Sequence, residues 1–228
     1  MLNLVFIKDF FYQKNREILT VTEQLLNSGI NFFTTILLLR FFSFSVLGLW
    51  VFINSILIFS VTVNQSITWS LFLAEFNEKK KNIKNKYVNY VIFSTIIISL
   101  FFGALISLYF KFYDNSDFKI LLVVFLYIIF LSLFEFLRRK LIASYKLKKL
   151  LLFTSFKLLI YSLGFYLILE SEIDFFDFIL IIESGIFIII IYELIITKFS
   201  PSLIHLKFFL KSDWIKTKYI LSKNIFLF

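Results

Sequence analysis

The chain has no cysteine, one proline, one histidine and five glycines in 228 residues. Without cysteine there are no disulfides and no thiolate metal sites. The single His205 cannot build a histidine-rich metal site or a Ser-His relay. Pro201 and five glycines leave few hinge points. Charge is scarce as well: 17% of residues are charged and 60% are hydrophobic. A soluble domain of this size is about half apolar, so the excess, gathered into long runs, points to a bilayer. There is no P-loop, no metal-ligand spacing and no Ser-His pair. Acidic pairs such as Asp114 and Asp117 fall in a short connection, where solvation is the plainer role. The expectation is a chain that is not an enzyme and uses no metal or cofactor. Its net charge of +9 comes with no nucleic-acid-binding pattern, so no nucleic-acid partner is expected. The stretch from Met1 to Arg16 is short, mixed in charge and without a small-residue cleavage site, so it does not read as a cleavable signal peptide.

What is present is six apolar runs: Ile18–Phe41, Leu47–Leu73, Tyr87–Phe110, Ile120–Leu137, Leu150–Leu169 and Phe175–Thr197. Each is near the ~20 residues that cross a ~30 Å hydrocarbon core at 1.5 Å per residue. They are too long and continuous for barrel strands. In hydrocarbon the backbone must satisfy its own hydrogen bonds, so helices follow. The expected fold is all-α, an integral membrane bundle of six transmembrane helices over residues 18–197. Residues 1–17 form a cytoplasmic segment before it. Residues 198–228 form a basic amphipathic tail, which either lies on the inner membrane surface or approaches a seventh span.

The connections alternate in charge. Lys8, Lys14 and Arg16 precede the first run, and Lys79, Lys80, Lys81, Lys84 and Lys86 separate the second from the third. Arg138, Arg139, Lys140, Lys146, Lys148 and Lys149 lie between the fourth and fifth. Lys198, Lys207, Lys211, Lys216, Lys218 and Lys223 follow the sixth. The opposite side carries Arg40, Lys111 and Lys119, with an acidic loop, "ESEIDFFD". By the positive-inside rule the amino terminus and the tail are cytoplasmic, in the cell's inner (plasma) membrane.

Polar residues inside the runs form stripes. Thr20, Glu23, Asn27, Asn31 and Thr34 recur at three- and four-residue steps. In the second run Asn54, Gln65 and Thr68 fall near one line. Ser99, Gly103 and Ser107 make a small-residue face suited to close helix contact. Lys157 and Tyr161 are one turn apart, and the sixth run holds Glu183 and Glu193. A charge isolated in hydrocarbon costs at least ~2.5–3.5 kcal/mol on insertion scales. The expectation is that these groups turn inward, either to line a polar cavity or to bond one another between helices. Lys157 alternatively snorkels to the interface. Glu135 precedes Arg138 and Arg139 by three and four residues and can pair with either, as a structural ion pair. Arg40 is either a snorkelling anchor or a cation at a cavity mouth.

The segment "EQLLNSGINFFTTILLLRFFSFSVLGLWVF", Glu23 to Phe52, resembles the first helix and turn of Wzx-type polysaccharide flippases, with Gln24, Ser28, Gly29, Asn31, Phe32, Arg40, Gly48 and Leu49 matching. "FEFLRRKLIASYKLKKLL", Phe134 to Leu151, is similar to the helix-four exit of the same proteins through Phe134, Glu135, Phe136, Arg138 and Arg139. The family belongs to the multidrug/oligosaccharidyl-lipid/polysaccharide exporters. The resemblance implies a transporter of lipid-diphosphate-linked oligosaccharide, built from two six-helix bundles, of which this chain matches one. The family's Gly-Pro between helices one and two is replaced by "FSFSV". The partners implied are membrane lipid, a lipid-linked oligosaccharide and a second six-helix bundle from the same or another chain. On that basis Arg40 and Lys157 would meet the diphosphate, Asn27, Asn31, Asn54 and Gln65 the sugars, and Glu23 or Glu183 a coupling proton or sodium ion. Glu23 belongs to the substrate-facing set as well. A non-transporting membrane partner of glycan-assembly proteins and a half-size multidrug-type exporter remain alternatives.

Overall fold

The computed structural model describes residues 2–70, 81–113, 118–171 and 173–196. Lys79 and Lys80, the Asp114/Asp117 pair and the tail with His205 and Trp214 lie outside the described residues. Among the described residues the fold is all-helical, without strands. The helices are α1 (Leu2–Phe41), α2 (Phe44–Asn64, continued by a π-helical turn, Gln65–Trp69), α3 (Lys81–Tyr113), α4 (Phe118–Ala143), α5 (Leu147–Ser171) and α6 (Phe175–Ile196).

Five of them are long and apolar enough to cross a membrane: Phe44–Trp69, Val88–Phe112, Phe118–Ala143, Leu147–Glu170 and Phe175–Ile196. They mark a multi-pass membrane protein. α1 is not among these five, because its amides, hydroxyls and Glu23 dilute an otherwise apolar run. It is also longer than expected. At 1.5 Å per residue its 40 residues extend about 60 Å, and nothing breaks it before Ile18, since its first glycine is Gly29 and it holds no proline.

α4 is the axis of the bundle. It packs against α2, α3, α5 and α6, and Val124, Ile128, Ser132 and Phe136 on it are wholly enclosed. Its residues are apolar on nearly every side, as a surrounded helix requires. α1 stands at the periphery, leaning on α5 and touching α2.

Ring contacts set the register between α2 and α3, which run antiparallel. Phe52 meets Tyr109 (centroids 5.0 Å), Phe59 meets Phe102 (5.4 Å), and Trp69 Nε1 donates to Thr95 Oγ1 at 2.8 Å. The small-residue face expected on α3 packs on α4: Gly103 abuts Phe125, and Ser107 Oγ donates to the Leu121 carbonyl at 3.1 Å. Ser99 on the same face is buried.

Two helix ends are defined by local chemistry. α4 stops in a Schellman arrangement: Lys146 N–H donates to the Leu141 carbonyl and Tyr145 N–H to that of Ile142, with Tyr145 at φ 56°. α6 starts under Asp174, whose Oδ1 accepts from Asp177 N–H at 2.8 Å.

α5 and α6 approach closely at Gly185, where an added Cβ would collide with Ile160 Cδ1 and lie 2.8 Å from its Cγ2. Gly185→Ala should therefore cost about 1–3 kcal/mol by overpacking, seen as a lower melting temperature of the detergent-purified chain. Adding Ile160→Ala should recover part of that loss. Gly48→Ala, with open space around it, should not lower the melting temperature. Equal melting of Gly185→Ala and the parent would contradict this packing.

Candidate functional site

The site begins at Glu23 on α1. Its carboxylate is fully buried and accepts a bidentate pair from Arg138 of α4: Nε to Oε1 at 2.7 Å and Nη2 to Oε2 at 3.1 Å. Thr154 Oγ1 of α5 donates to Oε1 at 3.1 Å. Arg138 Nη1 donates to Glu135 Oε1 at 2.9 Å, and Arg139 Nε donates to the same oxygen at 3.1 Å. The expected pairing of Glu135 is present with both arginines at once, one turn of α4 setting both distances. Arg139 also lies 5.5 Å over the Trp69 ring.

One turn along α1 from Glu23, Asn27 Oδ1 accepts from Lys157 Nζ at 2.9 Å. Lys157 is buried on α5. Its ammonium sits over two rings, Phe134 at 5.5 Å and Tyr161 at 5.6 Å. Among the described residues no carboxylate lies within 4.0 Å of it. The cluster thus joins three helices and holds three cations, Arg138, Arg139 and Lys157, against two carboxylates, Glu23 and Glu135. The fourth turn of α5 buries Lys157 rather than letting it reach the interface, so the snorkelling alternative does not apply.

Deeper in the bundle, Tyr127 of α4 donates its hydroxyl to Asn54 Oδ1 at 3.2 Å, and Asn54 Nδ2 donates to the Trp50 carbonyl at 2.8 Å. Glu183 on α6 is 2% exposed and its Oε1 has no hydrogen-bond partner among the described residues. Asn64 Oδ1 and Ser99 Oγ are likewise buried without partners among the described residues. At the end of the bundle near the basic turn, Glu193 of α6 is gripped by Lys140 (3.2 Å) and by Lys149. Lys149 also lies over Phe153 and Tyr192.

Three expected site residues lie elsewhere. Asn31, Arg40 and Gln65 are on the outer surface of the bundle, not in the cluster. The reason is geometric. At ~100° per residue, α1 divides into three sectors. Glu23, Asn27, Ile30, Thr34 and Leu38 face the bundle, Gln24, Ser28, Asn31 and Thr35 lie beside that seam, and Leu25, Phe32, Ile36 and Leu39 point away. Asn31 falls just past the packed edge. α2 packs on α3 and α4 with little cover elsewhere, so Gln65 at the edge of its packed sector is exposed while neighbouring Asn64 is enclosed. Arg40 ends α1, with its guanidinium 5.8 Å from the Phe41 ring.

Sequence reasoning overlooked Thr154, Tyr127, Asn64 and the Glu193–lysine grip. The buried hydroxyls carry little signal, since most bond their own helix four residues back, as Thr34 does to Ile30 at 2.7 Å. No group of acids and histidines suited to a metal ion occurs among the described residues.

Removing one partner of a buried ion pair typically costs 3–5 kcal/mol. Arg138→Ala should lose about that much, read as a lower melting temperature, and Glu23→Ala on top of it should cost little more. Strictly additive losses would show that the two groups do not act as a pair. No family model, curated protein or solved structure matches the chain.

Proposed function

We propose that this chain is one six-span half of a flippase-like transporter, with its amino terminus and tail cytoplasmic and α1 as the first span. In this reading it handles a lipid-diphosphate-linked oligosaccharide at the inner membrane, by alternating access. The observation that carries the reading is Lys157, a cation enclosed in the bundle with an amide and two ring faces but, among the described residues, no carboxylate within ion-pair distance. A buried cation normally has an ion partner. An anionic group entering between α1 and α5 would supply it through charge-assisted hydrogen bonds. Asn27 sits beside it to meet hydroxyls, and Asn54 and Tyr127 extend the polar path.

Glu23 is occupied by Arg138 and Thr154, which leaves Glu183, enclosed and with an unpartnered oxygen, as the group for a coupling proton or sodium ion. The likeness of the Glu23–Phe52 and Phe134–Leu151 segments to Wzx-type flippases supports the same substrate class. A second reading, a non-transporting membrane partner of glycan-assembly proteins, is favoured by the self-paired Glu23–Arg138–Glu135–Arg139 network.

Complementation of a flippase-deficient strain separates the two. The parent should restore glycan export, and Lys157→Ala at equal expression should abolish it. Full rescue by Lys157→Ala removes that residue from the site, and no rescue by the parent favours the second reading. Glu183→Gln should stop export while leaving the melting temperature near that of the parent. Single cysteines at Lys148 and Asp177 should label from opposite faces of the membrane; labelling from one face would overturn the topology.

A further inference from the structure

The strip of exposed Gln24, Ser28 and Asn31 with half-buried Thr35 on α1 is out of place on a spanning helix. Neither the Gln24 nor the Asn31 side chain bonds any described residue, and the Thr35 hydroxyl returns to the Asn31 carbonyl at 3.0 Å. An amide left facing acyl chains forfeits its hydrogen bonds to water and gains none. The adjoining sector, with Leu25 69% and Phe32 63% exposed, suits lipid. The two sectors of α1 therefore call for different surroundings.

We propose that this strip is the seam of a parallel, two-fold dimer of the chain, α1 against α1 of a second copy; this rests on α1 crossing the bilayer, as in the reading above. The strip advances by four, three and four residues, the alternation at which two parallel helices keep one seam in contact. A two-fold axis along the membrane normal brings each seam residue to its own counterpart. A carboxamide carries both donors and an acceptor, so Gln24 meets Gln24 of the second copy, and Asn31 meets Asn31 of the second copy, each pair exchanging two N–H···O bonds. Ser28 and Thr35 are small enough for the backbones to approach. The strip holds no charge that would require an oppositely charged partner. α1 is also free to accept a neighbour, since it contacts the rest of the bundle mainly through α5.

The chain has no native cysteine, so single-cysteine variants of the full chain report directly. Gln24→Cys, Asn31→Cys and Phe32→Cys are each oxidised in native membranes and, in parallel, treated with a membrane-impermeant maleimide. A disulfide needs Cα atoms within about 7 Å. The expected result is covalent dimer from Gln24→Cys and Asn31→Cys, with Phe32→Cys monomeric and shielded from maleimide. Asn31→Leu should lower the dimer fraction of the uncrosslinked chain counted by single-molecule photobleaching in nanodiscs. If Phe32→Cys is shielded while Asn31→Cys stays monomeric, the dimer is overturned and the span stands; maleimide reaction of that Asn31→Cys makes the strip the wall of a wet compartment instead. If Phe32→Cys reacts readily with the maleimide, α1 does not face lipid, and the six-span reading fails with the dimer.

Discussion

The bidentate contact between Glu23 and Arg138 is the constraint around which the polar part of this bundle is arranged. α1 is peripheral, and its helix packing reaches α5 and α2. This ion pair carries it across to the central α4. A buried ion pair is a poor source of net stability, because desolvation offsets most of the Coulomb attraction. Its leverage is different: neither partner can be exposed to hydrocarbon alone, so the pair determines where α1 sits. Thr154 and Asn27 then follow from position, each within reach of a group that the pair has already placed.

That arrangement also explains why a chain so rich in apolar residues tolerates internal charge. Each cation or carboxylate in the cluster is either paired, as Glu135 is with two arginines, or covered by ring faces, as Lys157 is. The same rule holds at Glu193, held by two lysines. Glu183 is the departure: a buried carboxyl whose Oε1 has no hydrogen-bond partner among the described residues. In the proposed transporter, Glu183 would be the group that changes its ligation without dismantling the bundle, since Glu23 is already held by Arg138 and Thr154.

The pairing of Glu135 with Arg138 and Arg139 was legible because all three lie within one turn of one helix, where spacing alone sets distance. That α3 makes a close helix contact through this face was legible for a similar reason, since glycine and serine at four-residue steps leave room for a neighbour; that the neighbour is α4 was not. Glu23 was legible as an inward group from the cost of a charge in lipid. Its partner was not, because Arg138 is 115 residues away and periodicity says nothing about which helix is adjacent. The inward stripe on α1 was drawn too wide. Asn31 obeys the same three- and four-residue rhythm as Asn27, yet it is exposed at the edge of the packed sector while Asn27 is half-buried.

What the amino-acid order determined unaided was the helical state, the apolar lengths and the scarcity of internal charge. These are local quantities, set by the solvent a segment must enter and by the hydrogen bonds its backbone must satisfy within itself. What the tertiary structure decided was which polar groups meet. Only packing shows that Lys157 meets no carboxylate among the described residues, that Glu183 stands apart from the paired groups there, and that Gln24 and Asn31 face outward. Those depend on the rotation of each helix against its neighbours, which many weak contacts set together and no single segment encodes.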